Sequence, residues 1–295
     1  MKKAVIDLGT NTFNLAIAEI VNGKINLLHS EKEGVAIGMG GINENRLSED
    51  AIERASTCLK RFKKKCNEYE VAEINAIGTS AIRDAKNNVE FTQKVKLETG
   101  ISIQIIDGIQ EANYIYKGIA YTYNFETPSL IMDIGGGSTE FIAADKYGVH
   151  DLISLNVGVS RIFQLYEFSD PMTANDILKI ESFLDANEHD FFSRVNCQTL
   201  VGASGSFETF YELVHHEKYP LGYDTQELDF EQFKLTLENI IHSTQAERDT
   251  NDFIIPIRKK MAPIAAIKTR WVIRKMNANK VVISPCSLKE GVLVG

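Results

Sequence analysis

One pattern occurs twice in this 295-residue chain, and it constrains the fold more than any other feature. Residues 130–144 read LIMDIGGGSTEFIAA: an apolar run containing Asp133, three glycines, Ser138, Thr139 and Glu140, then a second apolar run. Residues 4–17 read AVIDLGTNTFNLAI. A shift of 126 positions puts Asp7 on Asp133, Gly9 on Gly135, Thr12 on Ser138 and Asn14 on Glu140. Each copy reads as strand, tight glycine loop, strand. Glycine turns are common in ordinary hairpins. An Asp inside a buried apolar strand is another matter, because it is costly unless paired or metal-bound. Its recurrence in register predicts a duplicated domain with a ligand in the cleft between the copies.

The chemistry of the loops points to phosphate. Glycines bring backbone N–H groups close to a ligand and tolerate positive φ, and successive N–H groups form an anion-binding nest. Gly9, Gly135, Gly136 and Gly137 supply such donors. Thr10, Asn11, Thr12, Ser138 and Thr139 add side-chain donors. Asp7, Asp133 and Glu140 could hold a partly hydrated Mg²⁺ beside the phosphate. Phosphoryl transfer needs little beyond such positioning and charge stabilisation, plus a group to orient the nucleophile.

Three further positions are candidates. Glu111, in IIDGIQEANYIYKG, opens a helix after a strand and could serve as general base. Spacing alone favours a simpler role, complementing the helix dipole. Arg83, in GTSAIRDA, follows a strand end and is either a phosphate fork or a surface ion pair with Asp84. Gly205 and Ser206 lie in GASGS, again between strand and helix, where free N–H groups bind anions or simply make a tight turn. GASGS lacks the G-x-S-x-G spacing of a serine nucleophile elbow.

Between these landmarks the chain alternates. Strands are expected at 3–8, 13–20, 24–33, 74–78 and 101–106, with helices at 47–69, 89–99 and 110–121. The second half repeats that order. It has strands at 129–134, 138–144, 149–155, 199–202 and 281–284, and helices at 160–167, 174–186 and 208–214. Residues 215–230 read as an exposed excursion, and 230–276 as additional helices broken by Pro256 and Pro263. This is an α/β chain of two domains, 1–124 and 125–295, each a mixed five-stranded sheet flanked by helices. The glycine-rich loop 34–45 could gate the cleft between them.

Composition narrows the function. The net charge of −8 argues against a general nucleic-acid binder, although residues 251–295 carry nine Lys or Arg against two acids. No apolar run reaches the roughly 20 residues of a membrane span, and the start is too short for a signal peptide. Four scattered cysteines fit reduced thiols in a cytoplasmic protein rather than a zinc site.

Together, AVIDLGTNTFNL, AIGTSAIRDA, IDGIQEANYIYKG, LIMDIGGGSTEF, LVGASGS and ISPCSLKEGVL resemble the exopolyphosphatase / guanosine pentaphosphate phosphohydrolase family. They occur in family order over nearly the whole chain. The resemblance implies the actin-like, sugar-kinase-like fold, two ribonuclease H-like domains around a cleft. It makes Glu111 the catalytic base, Asp133 and Glu140 the motif acids, and Arg83 the phosphate-binding arginine. By implication water attacks the terminal phosphate of inorganic polyphosphate, Mg²⁺ neutralises the oxygens, and orthophosphate leaves. Guanosine pentaphosphate is the alternative substrate. A phosphotransferase of the same fold and a non-catalytic polyphosphate sensor are the rival readings. The resemblance also implies a homodimer.

This chain departs from the family pattern at Asp107 and Gln110, where Ser and Glu are usual, at Ala36 in place of an Arg, and at Lys289 in place of an Arg. These changes put in doubt the turn before Glu111 and the grip on a long polyanion, because Lys is a point charge without the guanidinium fork.

Overall fold

The computed structural model describes all residues, 1–295. The first half forms β1 (Lys2–Leu8), β2 (Phe13–Val21), β3 (Lys24–Glu33), α1 (Glu49–Glu68), β4 (Glu73–Gly78), α2 (Ser80–Arg83), α3 (Asn88–Thr99), β5 (Ile103–Ile105) and α4 (Gly108–Ala120). The second half begins with β6 (Ser129–Ile134), β7 (Thr139–Asp145), β8 (Gly148–Leu155), α5 (Val159–Leu165), α6 (Ala174–Asn187), α7 (Phe191–Arg194), β9 (Thr199–Ala203) and α8 (Ser204–His215). It ends with β10 (Gln226–Leu228), α9 (Phe230–His242), α10 (Gln245–Thr250), α11 (Pro256–Lys259), α12 (Ala262–Met276), β11 (Lys280–Ile283) and α13 (Leu288–Val294).

The two sheets are copies. The first runs β3-β2-β1-β4-β5, and the second β10-β11-β9-β6-β7-β8. In each, an antiparallel three-stranded meander continues into parallel strands beside its first strand. β6 is buried along its whole length, as a central strand covered on both faces must be. Two expectations need correction. The second sheet has six strands, not five, because Gln226–Leu228 leaves the 215–230 excursion to pair antiparallel with β11. Pro256 and Pro263 do not break a helix. Each sits in the first turn of its own, α11 and α12, where the missing N–H costs nothing.

The last helix of each half packs across the molecule. Ala112, Ile115 and Ile119 of α4 share a core with Ile131, Ile142 and Val201 of the second sheet. Leu293 of α13 shares one with Val5, Ala18 and Ile25 of the first. The two helices meet at a glycine pair. A Cβ on Gly118 would collide with the Ser287 carbonyl oxygen, and one on Gly291 with that of Tyr114. The four cysteines are buried and free, and no helix is long and apolar enough to cross a membrane.

Candidate active site

Strand register places the acids. Asp7 faces Asn14 directly across the first hairpin, and Asp133 faces Glu140 across the second. Residues opposite one another in a sheet share a face, so each pair points the same way, into a cavity of about 160 Å³ between the two halves. The next strand extends each row. Lys32 lies opposite Asn14, and Ser154 opposite Glu140. Asn14 Nδ2 donates to Asp7 Oδ2 at 3.0 Å. Ser154 Oγ donates to Glu140 Oε1 at 2.6 Å, and Ser287 Oγ donates to Asp133.

The glycines act differently from the expectation. None of Gly135, Gly136 and Gly137 has positive φ. Gly136 and Gly137 are there because side chains of the first hairpin and of α2 press against the loop. A Cβ on Gly136 would lie 2.7 Å from Asn11 Oδ1, and one on Gly137 2.7 Å from Thr10 Oγ1. The carbonyls of Gly135, Gly136 and Gly137 are all taken by N–H groups of residues 158–161. None of the loop backbone bonds uses their own N–H groups, nor those of Thr10 and Asn11. Both hairpins therefore keep donors available for an anion. The first turn of α8 adds those of Ser204, Gly205 and Ser206, which also line the cavity.

Glu111 enters from α4. Asp107 caps that helix: its carboxylate accepts from Gln110 N at 2.7 Å, and Gln110 Oε1 accepts from Asp107 N at 3.3 Å. The two departures from the family turn thus form a reciprocal capping box, which fixes the helix start at Gly108, three residues before Glu111. Glu111 is 7% exposed, and its Oε2 accepts from Arg83 Nη1 at 2.8 Å.

Most of the residues selected from sequence line the cavity: Asp7, Gly9, Thr10, Asn11, Glu111, Asp133, Gly135, Gly136, Gly137, Ser138, Glu140, Gly205 and Ser206. Two do not. Arg83 is committed to Glu111, to Asp84 and to the Ile106 carbonyl, so it stands behind the base instead of in the cavity. Thr139 points into the second core, where its hydroxyl is held by the buried Lys268 Nζ. The Asn11 amide lines the cavity, but its Oδ1 is occupied by Ser160 Oγ, which ties the first hairpin to α5. Ala36 has φ 51°, and its carbonyl accepts from Arg54 Nη2 at 3.1 Å. Loop 34–45 is clasped to α5: Gly40 N donates to Gln164 Oε1 at 2.7 Å, and Asn43 Nδ2 to the Arg161 carbonyl at 3.1 Å.

Sequence reasoning missed Lys32, Glu208 and Arg258, and it noted Lys289 only as a departure; all four line the cavity. The one local signal was position. Lys32 falls in register with Asn14, and Glu208 lies one turn past Ser204 on α8.

Five carboxylates (Asp7, Glu111, Asp133, Glu140, Glu208) thus face three cationic side chains in the cavity. Burial raises the proton affinity of four of these carboxylates, with neighbouring groups second. Burial pushes the Asp7 carboxyl up to about 6, against the pull of Lys289. Burial, and then the neighbouring Asp133, push Glu140 up to about 7. Glu111 is raised well above the usual carboxylate range by burial and by Glu140, with Arg83 opposing. Burial also raises Asp133, against its hydrogen bond from Ser287. No three His, Cys, Asp or Glu side chains converge closely enough to enclose a metal ion by themselves.

Residues 16–295 match the model of the Ppx/GppA phosphatase family. The chain is 31% identical to a guanosine-5'-triphosphate,3'-diphosphate pyrophosphatase of Photobacterium profundum over 217 residues, 72% of this chain and 43% of that protein. It is 31% identical to a putative exopolyphosphatase of Haemophilus influenzae over 234 residues, 76% of this chain and 70% of that protein. The chain therefore spans less than half of the Photobacterium relative's length. Its structure is similar to that of an exopolyphosphatase from Cytophaga hutchinsonii, with TM-score 0.95 and 33% identity, over 99% of this chain and 96% of that one. Motif order, family model and fold agree over nearly the whole length, and the chain belongs to the Ppx/GppA phosphatase family, with its two-domain actin-like fold.

Proposed function

We propose that this protein hydrolyses the terminal phosphoanhydride bond of a phosphate chain and releases orthophosphate. Inorganic polyphosphate is the first substrate and guanosine pentaphosphate the alternative. The names of the Haemophilus and Cytophaga proteins favour the first, and that of the Photobacterium protein the second. The observation that carries the reading is Glu111. It is a buried carboxylate of raised proton affinity, held by Arg83 at the edge of a cavity rich in unused backbone donors.

In this reading the two hairpins and the first turn of α8 hold the terminal phosphates by their N–H groups. Glu111 accepts a proton from water as the water oxygen bonds to the terminal phosphorus. The bridging P–O bond breaks, and its electron pair leaves with the shortened chain. Arg83 is a positioning residue that keeps the Glu111 carboxylate in one orientation. The cavity's excess of carboxylates over cations fits a divalent ion, because a polyanion could not otherwise enter. Asp7, Asp133 and Glu140 would contact it, directly or through water. Magnesium usually takes only one or two carboxylates, with waters and substrate phosphates completing its shell. Such an ion would supply positive charge to the phosphate oxygens.

The test is orthophosphate release with Mg²⁺ from long polyphosphate, short polyphosphate, guanosine pentaphosphate and ATP. Release is expected from one of the first three and should stop when the metal is chelated. In Glu111→Gln it should fall by about 10²- to 10⁴-fold with binding retained. Unchanged release in that variant would remove Glu111 as the base. Tight binding without release in the wild type would make the protein a sensor.

A further inference from the structure

Beside the acid rows, the cavity is lined by a cluster of charges that the hydrolytic reading does not use. Lys32 Nζ lies 3.3 Å from Glu208 Oε2. Lys32 stands on β3 of the first half and Glu208 on α8 of the second, so the bond crosses the cleft. Beside them Arg258 Nη1 donates to Thr209 Oγ1 at 2.9 Å, and its guanidinium lies against Gly205, where a Cβ would collide with it. Lys289 Nζ lies 3.3 Å from Glu290 Oε1. Glu208 is thus an anion placed among the cations of an anion-binding cavity. Burial works against its charge, yet Lys32, Arg258 and Lys289 together keep its carboxyl below the ordinary value.

The position of this charge matters. The free N–H groups of Ser204, Gly205 and Ser206 begin the same helix, so a phosphate chain reaching past them meets Glu208 next. A carboxylate paired with Lys32, with Arg258 nearby, presents the same kind of charge and acceptor oxygens that a phosphate would. Resting on the hydrolytic reading above, we propose that Glu208 is a specificity-determining residue. Its carboxylate occupies the place of an inner phosphate at Lys32, so that short chains bind without disturbing it and long chains must displace it. Repulsion of an unwanted partner is a general means of specificity.

The test compares inorganic triphosphate with polyphosphate of several tens of phosphates, in wild type, Glu208→Gln and Lys32→Gln. Glu208→Gln keeps the shape and removes the charge. The kcat/KM ratio of long to short chains is expected to rise about tenfold or more, through KM, since a like charge at the binding surface opposes the chain. Lys32→Gln is expected to lower the same ratio, because a cation that the displaced carboxylate leaves to the chain is lost. Binding of both chains to the Glu111→Gln protein, with and without Glu208→Gln, gives the same comparison without turnover. It also reports any loss of folding as weaker binding of both ligands. Hydrolysis of both chains at a ratio that Glu208→Gln leaves unchanged would overturn this inference and leave the hydrolytic reading intact. Absence of both binding and release in the wild type would overturn the two together.

Discussion

Arg83 Nη1 sits 2.8 Å from Glu111 Oε2, and this ion pair joins the end of α2 to the first turn of α4. It opposes two other influences on the same carboxylate, burial and the nearby Glu140, both of which raise its proton affinity. Removing the guanidinium therefore raises that affinity further. A base must be unprotonated to act, so in Arg83→Gln the acid limb of the kcat/KM–pH profile should move to higher pH, by about 1 unit or more. Arg83→Lys should recover part of the shift. An acid limb that stays in place in Arg83→Gln would mean that the pair does not tune the base.

Lys268 is 1% exposed and donates to Thr139 Oγ1 and to the Val157 carbonyl. Burial lowers its ammonium to about 7, with Glu140 opposing. Between that value and the unfolded value of about 10.4, the unfolded chain holds a proton that the folded chain does not. Stability from this group therefore rises with pH across the window; on acidification it is lost between about 10.4 and 7, below which both states hold the proton. Relative to Lys268→Met, the wild type should gain up to about 1.4 kcal/mol per pH unit there. Urea unfolding of both proteins at neutral and alkaline pH checks this. A difference independent of pH would show that Lys268 keeps its proton.

Gly118 and Gly291 allow α4 and α13 to cross backbone to backbone. The atoms a Cβ would strike are carbonyl oxygens, which cannot rotate away as a side chain can. Gly291→Ala should cost about 1–3 kcal/mol or more. Because α13 follows Ser287 and carries Lys289, the same change should also disturb the cavity. Thermal unfolding and phosphate release would both register it. An unshifted melting temperature would show that the helices can separate freely.

Much of the site was legible because its logic is local. A strand alternates its side chains, so an Asp two residues before a hairpin glycine and a polar residue beyond the turn must share a face. The pairs Asp7/Asn14 and Asp133/Glu140 follow from that rule. Asp107 and Gln110 looked like damage to a motif, yet their three-residue spacing is a helix cap. The short strand β10 was missed because three residues carry no periodicity; only the edge of β11 gives them a partner.

The sequence by itself determined the duplication, the α/β class, the two hairpins and the acids aimed along them, since each depends on residues a few positions apart. Tertiary structure decided the rest. It turned Thr139 inward to Lys268, set Arg83 behind Glu111, and brought Lys32 and Glu208 together across 176 positions. It also explained Gly136 and Gly137, which are needed for the close approach of Thr10, Asn11 and Ser80. Such contacts arise only when two separately folded sheets close on one another, and no local spacing in the chain encodes which side chains will meet there.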